Sequence, residues 1–383
     1  MAKAKSSRRK RKAKEILINI ALFLIVFLIM LALIEVALRI IQPKAQYERQ
    51  DEFVFYQYDP LLGWANKPNA TGIFQMPDSS SLVNINSKGL RDAEHYYEKP
   101  AGIKRIEFFG DSFTWGYGVN ETDRYVNVFS QELEKKLPYQ YETINFGTTG
   151  YGTDQEYLML RTKGFQYSPD IIILAYHNDL SDVIRKDTCE NSKYPHPYFI
   201  ISNNTLQLMN VPVPVCNSSW ESRLNVEKAQ QGIIWKINSL LSHLKTYVLL
   251  RDNVGIRIGF INKAIYKTRY PGYADTLKII DSLVLDADKL AKQNNAEFVL
   301  VLLPDKVQVY GNANTIEIDS LTEFANANNI TLINLYPDLK EIAKKEKNIY
   351  FSIDRHFSIT GNDIVGNLIL QKLIEQGVID GKE

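Results

Sequence analysis

The sequence predicts an α/β protein built on a parallel sheet with helices on both faces, preceded by one transmembrane helix. Three observations carry this. Five strands, near Arg105–Phe109, Tyr141–Asn145, Asp170–Tyr176, Glu297–Leu303 and Thr331–Leu335, alternate with helical periodicity near 121–137, 153–166, 275–294, 317–329 and 359–376. Apolar strands separated by amphipathic helices are the pattern of a parallel sheet covered twice. Ile16–Ile41 is a 26-residue run in which only Asn19, Glu35 and Arg39 are strongly polar. Finally, Ser112 stands just past the first apolar run of the sheet.

Residues 1–14 carry eight Lys or Arg and no acid. About 20 apolar residues span a bilayer, whereas a signal-peptide core is only about 7 to 15 long. Residues 16–41 therefore read as an uncleaved signal-anchor in contact with membrane lipid. The positive-inside rule puts residues 1–15 in the cytoplasm and the rest of this single-pass chain outside the cell membrane. Glu35 and Arg39, four apart on one helical face, can pair near the outer end. The net charge of +1 becomes −7 once the eight tail cations are set aside. A mildly acidic outer part disfavours nucleic acid as a partner.

Residues 44–101 form a juxtamembrane lead-in. Tyr58-Asp59-Pro60-Leu61-Leu62-Gly63-Trp64, Lys67-Pro68-Asn69 and Asn84 to Asp92 alternate turn formers with aromatics. That predicts short strands packed on the main domain, residues 102–383. A stretch of about 186–274 interrupts the strand–helix rhythm. It holds Val211-Pro212-Val213-Pro214 and amphipathic helix signals from Trp220 to Tyr247, and reads as an insertion beside the site. Cys189 and Cys216 lie in it, and an even cysteine count in an oxidising compartment predicts a disulfide. No pair of histidines has ligand spacing and the cysteines are far apart, so no metal is expected. Nor is any cofactor.

The chemistry gathers at four places. In Phe109-Gly110-Asp111-Ser112-Phe113-Thr114-Trp115-Gly116 a buried strand ends on Ser112, at the sheet edge where ligands bind in open α/β folds. A serine hydroxyl needs a base to take its proton and donors to hold the oxyanion that forms on a carbonyl. Ile353-Asp354-Arg355-His356-Phe357-Ser358, entering the C-terminal helix, offers an imidazole and a carboxylate to orient it. Asn145 to Gly152 follows the second strand, with glycines that let backbone amides approach a substrate. The third strand ends in Tyr176-His177-Asn178-Asp179, where Asn178 can donate to the same oxyanion. Asp111 reads as a brace for the loop, and His177 as a residue able to line the site. His243 falls on a helix surface, His196 between two prolines, and His95 in a charged turn. There is no G-x-S-x-G elbow.

With these four blocks in order, roughly residues 100–380 resemble the SGNH, or GDSL-type, hydrolase superfamily, in a membrane-anchored branch that modifies polysaccharides. The resemblance implies a three-layer αβα flavodoxin-like sandwich. It also implies Ser112 as nucleophile, His356 and Asp354 as base and orienter, and Ser112, Gly150 and Asn178 as oxyanion donors. Two positions depart from the family pattern. Tyr176 stands where the third block usually has glycine, and one residue, Arg355, separates Asp354 from His356 instead of two. The expected activity is a serine esterase acting on an acylated glycan, acetyl being the leading acyl group. Alternatives are an O-acetyltransferase with a multi-span acyl-donor partner, a lipase or thioesterase, and an inactive glycan-binding or assembly protein.

Overall fold

A computed structural model describes residues 2–41, 54–216 and 272–380, apart from 77–78, 139, 190–191, 193, 204, 312 and 353. The helix signals of Trp220–Tyr247 and His243 lie outside the described residues. The chain divides into two units, residues 1–46 with 231–255 and residues 47–230 with 256–383. The first contains α1 (Ala2–Ile41). Within it Lys14–Ala37 has a mean hydropathy of 3.2, long and apolar enough to cross a bilayer. Arg39 Nε donates to Glu35 Oε1 at 2.8 Å, the pairing expected of residues one helical turn apart.

The second unit begins with two hairpins, β1 (Tyr56–Asp59) with β2 (Gly63–Asn66) and β3 (Thr71–Gln75) with β4 (Ser80–Asn84). Beyond them lie β5 (Lys104–Gly110), α2 (Ser112–Trp115), α3 (Tyr125–Lys136), β6 (Tyr141–Asn145), α4 (Thr153–Thr162), β7 (Ile171–Tyr176) and α5 (Leu180–Val183). A third hairpin, β8 (Tyr198–Ser202) with β9 (Thr205–Met209), follows. It is enclosed by the Cys189–Cys216 disulfide, whose Cα atoms are 5.4 Å apart. The chain closes with α6 (Tyr273–Gln293), β10 (Glu297–Leu302), α7 (Lys306–Tyr310), α8 (Ile316–Ala327), β11 (Thr331–Asn334), α9 (Tyr336–Ile342) and α10 (Ile359–Glu375).

Five strands form one parallel sheet in the order β11-β10-β7-β5-β6. Side chains along a strand point alternately to its two faces. On β7, Ile171, Ile173 and Ala175 enter one core while Ile172, Leu174 and Tyr176 enter another. On β10, Val299 and Val301 divide likewise from Phe298, Leu300 and Leu302. Both faces are covered, which is why these strands read as continuous apolar runs. α3, α9 and α10 fill the first layer; α4, α6 and α8 fill the second. Each fully buried aliphatic or aromatic side chain contributes about 1.5 to 3 kcal/mol.

Counted within the sheet, the strand order is 2-1-3-4-5, the flavodoxin-like arrangement. Its direction reverses between β5 and β7, so the crevice at their carboxyl ends is the topological switch point where ligands bind in such folds. The expected 153–166 helix is shorter, ending at Thr162 before a 3₁₀ turn over Gly164–Tyr167. A Cβ at Gly164 would stand 2.7 Å from the Phe109 ring, so the chain passes too close to the sheet there for another residue. The lead-in packs Phe55, Phe74, Met76, Val83 and Ile85 against Trp115, directly behind the serine turn.

Candidate active site

β5 ends at Gly110, where a Cβ would lie 2.0 Å from Thr114 Oγ1; glycine alone lets the chain turn into α2 this tightly. Asp111 caps that turn, its Oδ1 accepting the Phe113 N–H at 2.8 Å. Gly116, at φ 88°, ends it in the left-handed region. The turn is held from behind. Asn145 Nδ2 donates to the Thr114 carbonyl at 2.8 Å, and Trp115 Nε1 to Asn66 Oδ1 at 3.2 Å. Burial pushes the Asp111 carboxyl up to about 8 although the Phe113 N–H pulls it down. Ser112 is left half-buried at the edge.

His356 arrives from a loop stitched to the start of α10. Phe351 N–H donates to the His356 carbonyl at 3.0 Å, and Ser358 N–H to the Ile349 carbonyl at 2.9 Å. Ser358 then caps α10 by accepting the Gly361 N–H. His356 Nε2 lies 2.6 Å from Ser112 Oγ, and its Nδ1 lies 2.5 Å from Asp354 Oδ1. With a carboxylate on Nδ1, that nitrogen carries the proton and Nε2 accepts the Ser112 hydroxyl, the tautomer a general base needs. Asp354 Oδ1 also accepts the His356 backbone N–H at 2.8 Å. The one-residue spacing works because the carboxylate folds back over its own turn. Burial raises the Asp354 carboxyl, but hydrogen bonds from the His356 ring and backbone outweigh it and hold the group below the usual carboxylate range.

Gly150 and Asn178 leave the same edge on the loops after β6 and β7, the strands flanking β5. Thr148 N–H donates to the Gly110 carbonyl at 3.0 Å, binding the first loop to the end of β5. Gly150 is exposed with φ 75°, and the Trp64 indole donates to the adjacent Thr149 carbonyl at 3.0 Å. Asn178 is exposed at φ 56°. Neither hydrogen-bonds to Ser112 among the described residues. Tyr176, in the place of the usual glycine, is buried and its hydroxyl bonds Glu317. His177 turns inward: its Nδ1 donates to the Leu303 carbonyl at 3.1 Å and its ring lies 3.8 Å from that of Phe113. Burial pulls this imidazole down to about 4.

Two features had no signal in the sequence. The His356 ring is flanked by Phe113 and Tyr117, centroids 4.6 and 4.3 Å away. Arg91, from the lead-in, is buried under the serine turn and donates to four backbone carbonyls. Their sequence neighbourhoods are ordinary turns, and only tertiary packing gives them a role. Among the described residues no group of three or more His, Cys, Asp or Glu is arranged to hold a metal ion.

No family model and no curated protein matches the chain. Similar solved structures include the acetyl xylan esterase AlAXEase, 15% identical over 70% of this chain and 100% of that one, with a TM-score of 0.41. The lipase/acylhydrolase from Enterococcus faecalis is 13% identical over 73% of this chain and 100% of that one, with a TM-score of 0.40. A catalytic mutant of Axe2, an acetylxylan esterase from Geobacillus stearothermophilus, is 10% identical over 72% and 96%, also with a TM-score of 0.40. That likeness is one of outline, and the chemistry of this site rests on its own contacts.

Proposed function

We propose that the chain is an SGNH-type serine esterase, anchored in the cell membrane by residues 16–41 and facing outward, that removes acyl groups, acetyl foremost, from a glycan. One observation carries the reading: Ser112 Oγ, the His356 imidazole and the Asp354 carboxylate form an unbroken hydrogen-bonded chain of 2.6 and 2.5 Å at the switch point of the sheet. Ser112 Oγ attacks the ester carbonyl while His356 Nε2 takes its proton. The tetrahedral oxyanion is held by the Ser112 and Gly150 amides and the Asn178 side chain. Collapse expels the sugar hydroxyl, which leaves with the proton from His356. Water, deprotonated by the same imidazole, then releases the acid from acyl-Ser112.

An unreactive binding protein has no need of a serine within 2.6 Å of an oriented imidazole, so the geometry supports turnover over binding alone. A lipase or thioesterase would call for a continuous apolar groove beside Ser112. Transfer to a second sugar would use the same acyl-serine. The single apolar helix in the described residues favours hydrolysis, because bringing an acyl donor across the bilayer would need a separate multi-span partner. The eight basic residues at the start of that helix favour a cytoplasmic N-terminus.

A fluorophosphonate probe on the full chain in detergent should modify Ser112, and the protein should release acetate from an activated acetyl ester. Failure of both sinks the reading. Acetylated oligosaccharide formed in preference to acetate when an acceptor is added would make the protein a transferase. Protease applied to intact cells should digest residues beyond about 44 and spare the basic tail.

A further inference from the structure

Four rings stand in a column through the site. Tyr117 lies face to face with His356, centroids 4.3 Å apart at 26°. Phe113 lies 4.6 Å from His356 at 37°, and His177 lies 3.8 Å from Phe113 at 35°. Two rings that near to an imidazole and that close to parallel cannot share one face of it, so Tyr117 and Phe113 cover opposite faces. The edges are taken as well, by Asp354 at Nδ1 and Ser112 at Nε2. The imidazole cannot swing about its side-chain torsion without breaking a hydrogen bond and unstacking from both neighbours.

We propose that Tyr117 is a positioning residue for His356: with Phe113 it clamps the imidazole in the plane of the Ser112–Asp354 line and stabilises the imidazolium that forms as Ser112 loses its proton. This deepens the esterase reading and rests on His356 being the base. An aromatic ring presents a negative face, which attracts a cation centred over it. The neutral imidazole gains less from that face than the imidazolium, so the interaction grows toward the transition state and lowers the barrier. At a half-exposed position it is worth about two- to fivefold in rate.

The clamp is tied to the nucleophile. Tyr117 N–H donates to the Ser112 carbonyl at 3.0 Å, and Phe113 is the next residue after Ser112. Arg91 grips the same turn through the Gly116 carbonyl at 2.6 Å and the Val119 carbonyl at 2.7 Å. A single seven-residue stretch, 111–117, thus sets both the attacking oxygen and the ring planes that align its base. The groups facing His356 are Asp354 and Arg355 on its own loop, Ser112 and Tyr117 from the serine turn and His177 from the end of β7. Asp305 and Lys306 lie at the start of α7, Asp305 3.7 Å from Arg355 and Lys306 bonded to the Phe351 carbonyl. His177 is kept neutral by burial, so the far end of the column adds no repulsion.

The test compares Tyr117→Leu with Tyr117→Phe in the full chain. Leucine keeps apolar cover over the imidazole but loses the π face and the ring contacts with Phe74 and Trp115; phenylalanine restores all three. Tyr117→Leu should lower kcat about two- to fivefold at unchanged KM and move the acid limb of the pH–rate profile to lower pH, and Tyr117→Phe should recover both. Parental kcat and profile in Tyr117→Leu, a raised KM with kcat unchanged, or equal damage from both substitutions would overturn the proposal. If the parent chain turns over no ester, the esterase reading fails on its own. The clamp is then judged from nitrogen NMR of the His356 ring: a lower titration midpoint in Tyr117→Leu than in the parent supports it, and equal midpoints overturn it.

Discussion

The guanidinium of Arg91 lies 4.2 Å over the Trp115 ring and donates to that residue's carbonyl oxygen at 3.0 Å. The same side chain reaches the Gly116, Val119 and Leu82 carbonyls, so one buried cation from the lead-in serves three acceptors at the end of the serine turn and one on β4. Arg91→Met should destabilise the fold by roughly 3 kcal/mol or more, since buried carbonyls lose charge-assisted partners. Urea unfolding measures it. Arg91→Lys should not rescue, because an ammonium lacks the planar fork that spans four acceptors.

On the esterase reading, Ser112→Ala and His356→Ala should each remove nearly all ester turnover and leave thermal unfolding close to that of the parent, because nucleophile and base act as one unit in forming an acyl-serine. Asp354→Asn should retain the fold and lose activity through the wrong imidazole tautomer. Asn178→Ala should lower kcat by about 10²- to 10³-fold if its exposed amide donates to the oxyanion. A parental rate in Asn178→Ala would assign that donor elsewhere.

His95 is buried with Nδ1 2.6 Å from Glu142 and Nε2 3.2 Å from Asp92. Burial disfavours the charged ring, but the two carboxylates outweigh it and raise the group to about 9. Its folded value exceeds the ordinary imidazole value near 6.5, so the folded state holds the proton more tightly. The stabilisation is fully present below about 6.5 and is lost as pH rises through about 9. Stability measured by denaturant should therefore fall over that window by on the order of 3 kcal/mol. His95→Gln should be weaker at pH 6 and show a much flatter decline. An equal slope in both proteins would contradict the assignment.

The sheet was legible because its inner strands β7 and β10 are apolar on both faces and helical periodicity brackets the rest; Tyr141–Asn145 was located to the residue, and the others to within one. Ser112, His356 and Asp354 were legible for a different reason: each follows or precedes an element whose end the sequence marks, by Gly110 and by the Ser358 cap. Arg91 and Tyr117 were not legible. A buried arginine looks like a surface one until the carbonyls it serves are brought from residues 82, 115, 116 and 119, and a turn tyrosine becomes a ring clamp only when a loop more than 200 residues away lays His356 against it. His95, read as part of a charged turn, finds its partner in Glu142 on β6, which no local pattern reveals.

Cys189 and Cys216 are joined, their Cα atoms 5.4 Å apart. Their disulfide closes a loop around the β8–β9 hairpin, and that segment is tied to the lead-in: Val213 N–H donates to the Pro60 carbonyl at 2.7 Å, and Tyr58 hydroxyl to the Val213 carbonyl at 2.5 Å. His196, in the same segment, sits edge-on to Trp64, centroids 6.4 Å apart, and Trp64 is the residue that holds the Thr149 carbonyl beside Gly150. With a sequence separation of 27, the cross-link contributes roughly 3 to 4 kcal/mol on the chain-entropy account. Reduction, or Cys189→Ser with Cys216→Ser, should lower the unfolding midpoint and expose the 186–216 segment to trypsin. If the segment supports the Gly150 loop, kcat should fall as well, and KM should change less than kcat. An unchanged midpoint on reduction would show that packing on the lead-in alone holds the hairpin, whereas a lower midpoint at parental kcat would separate its stability from the site.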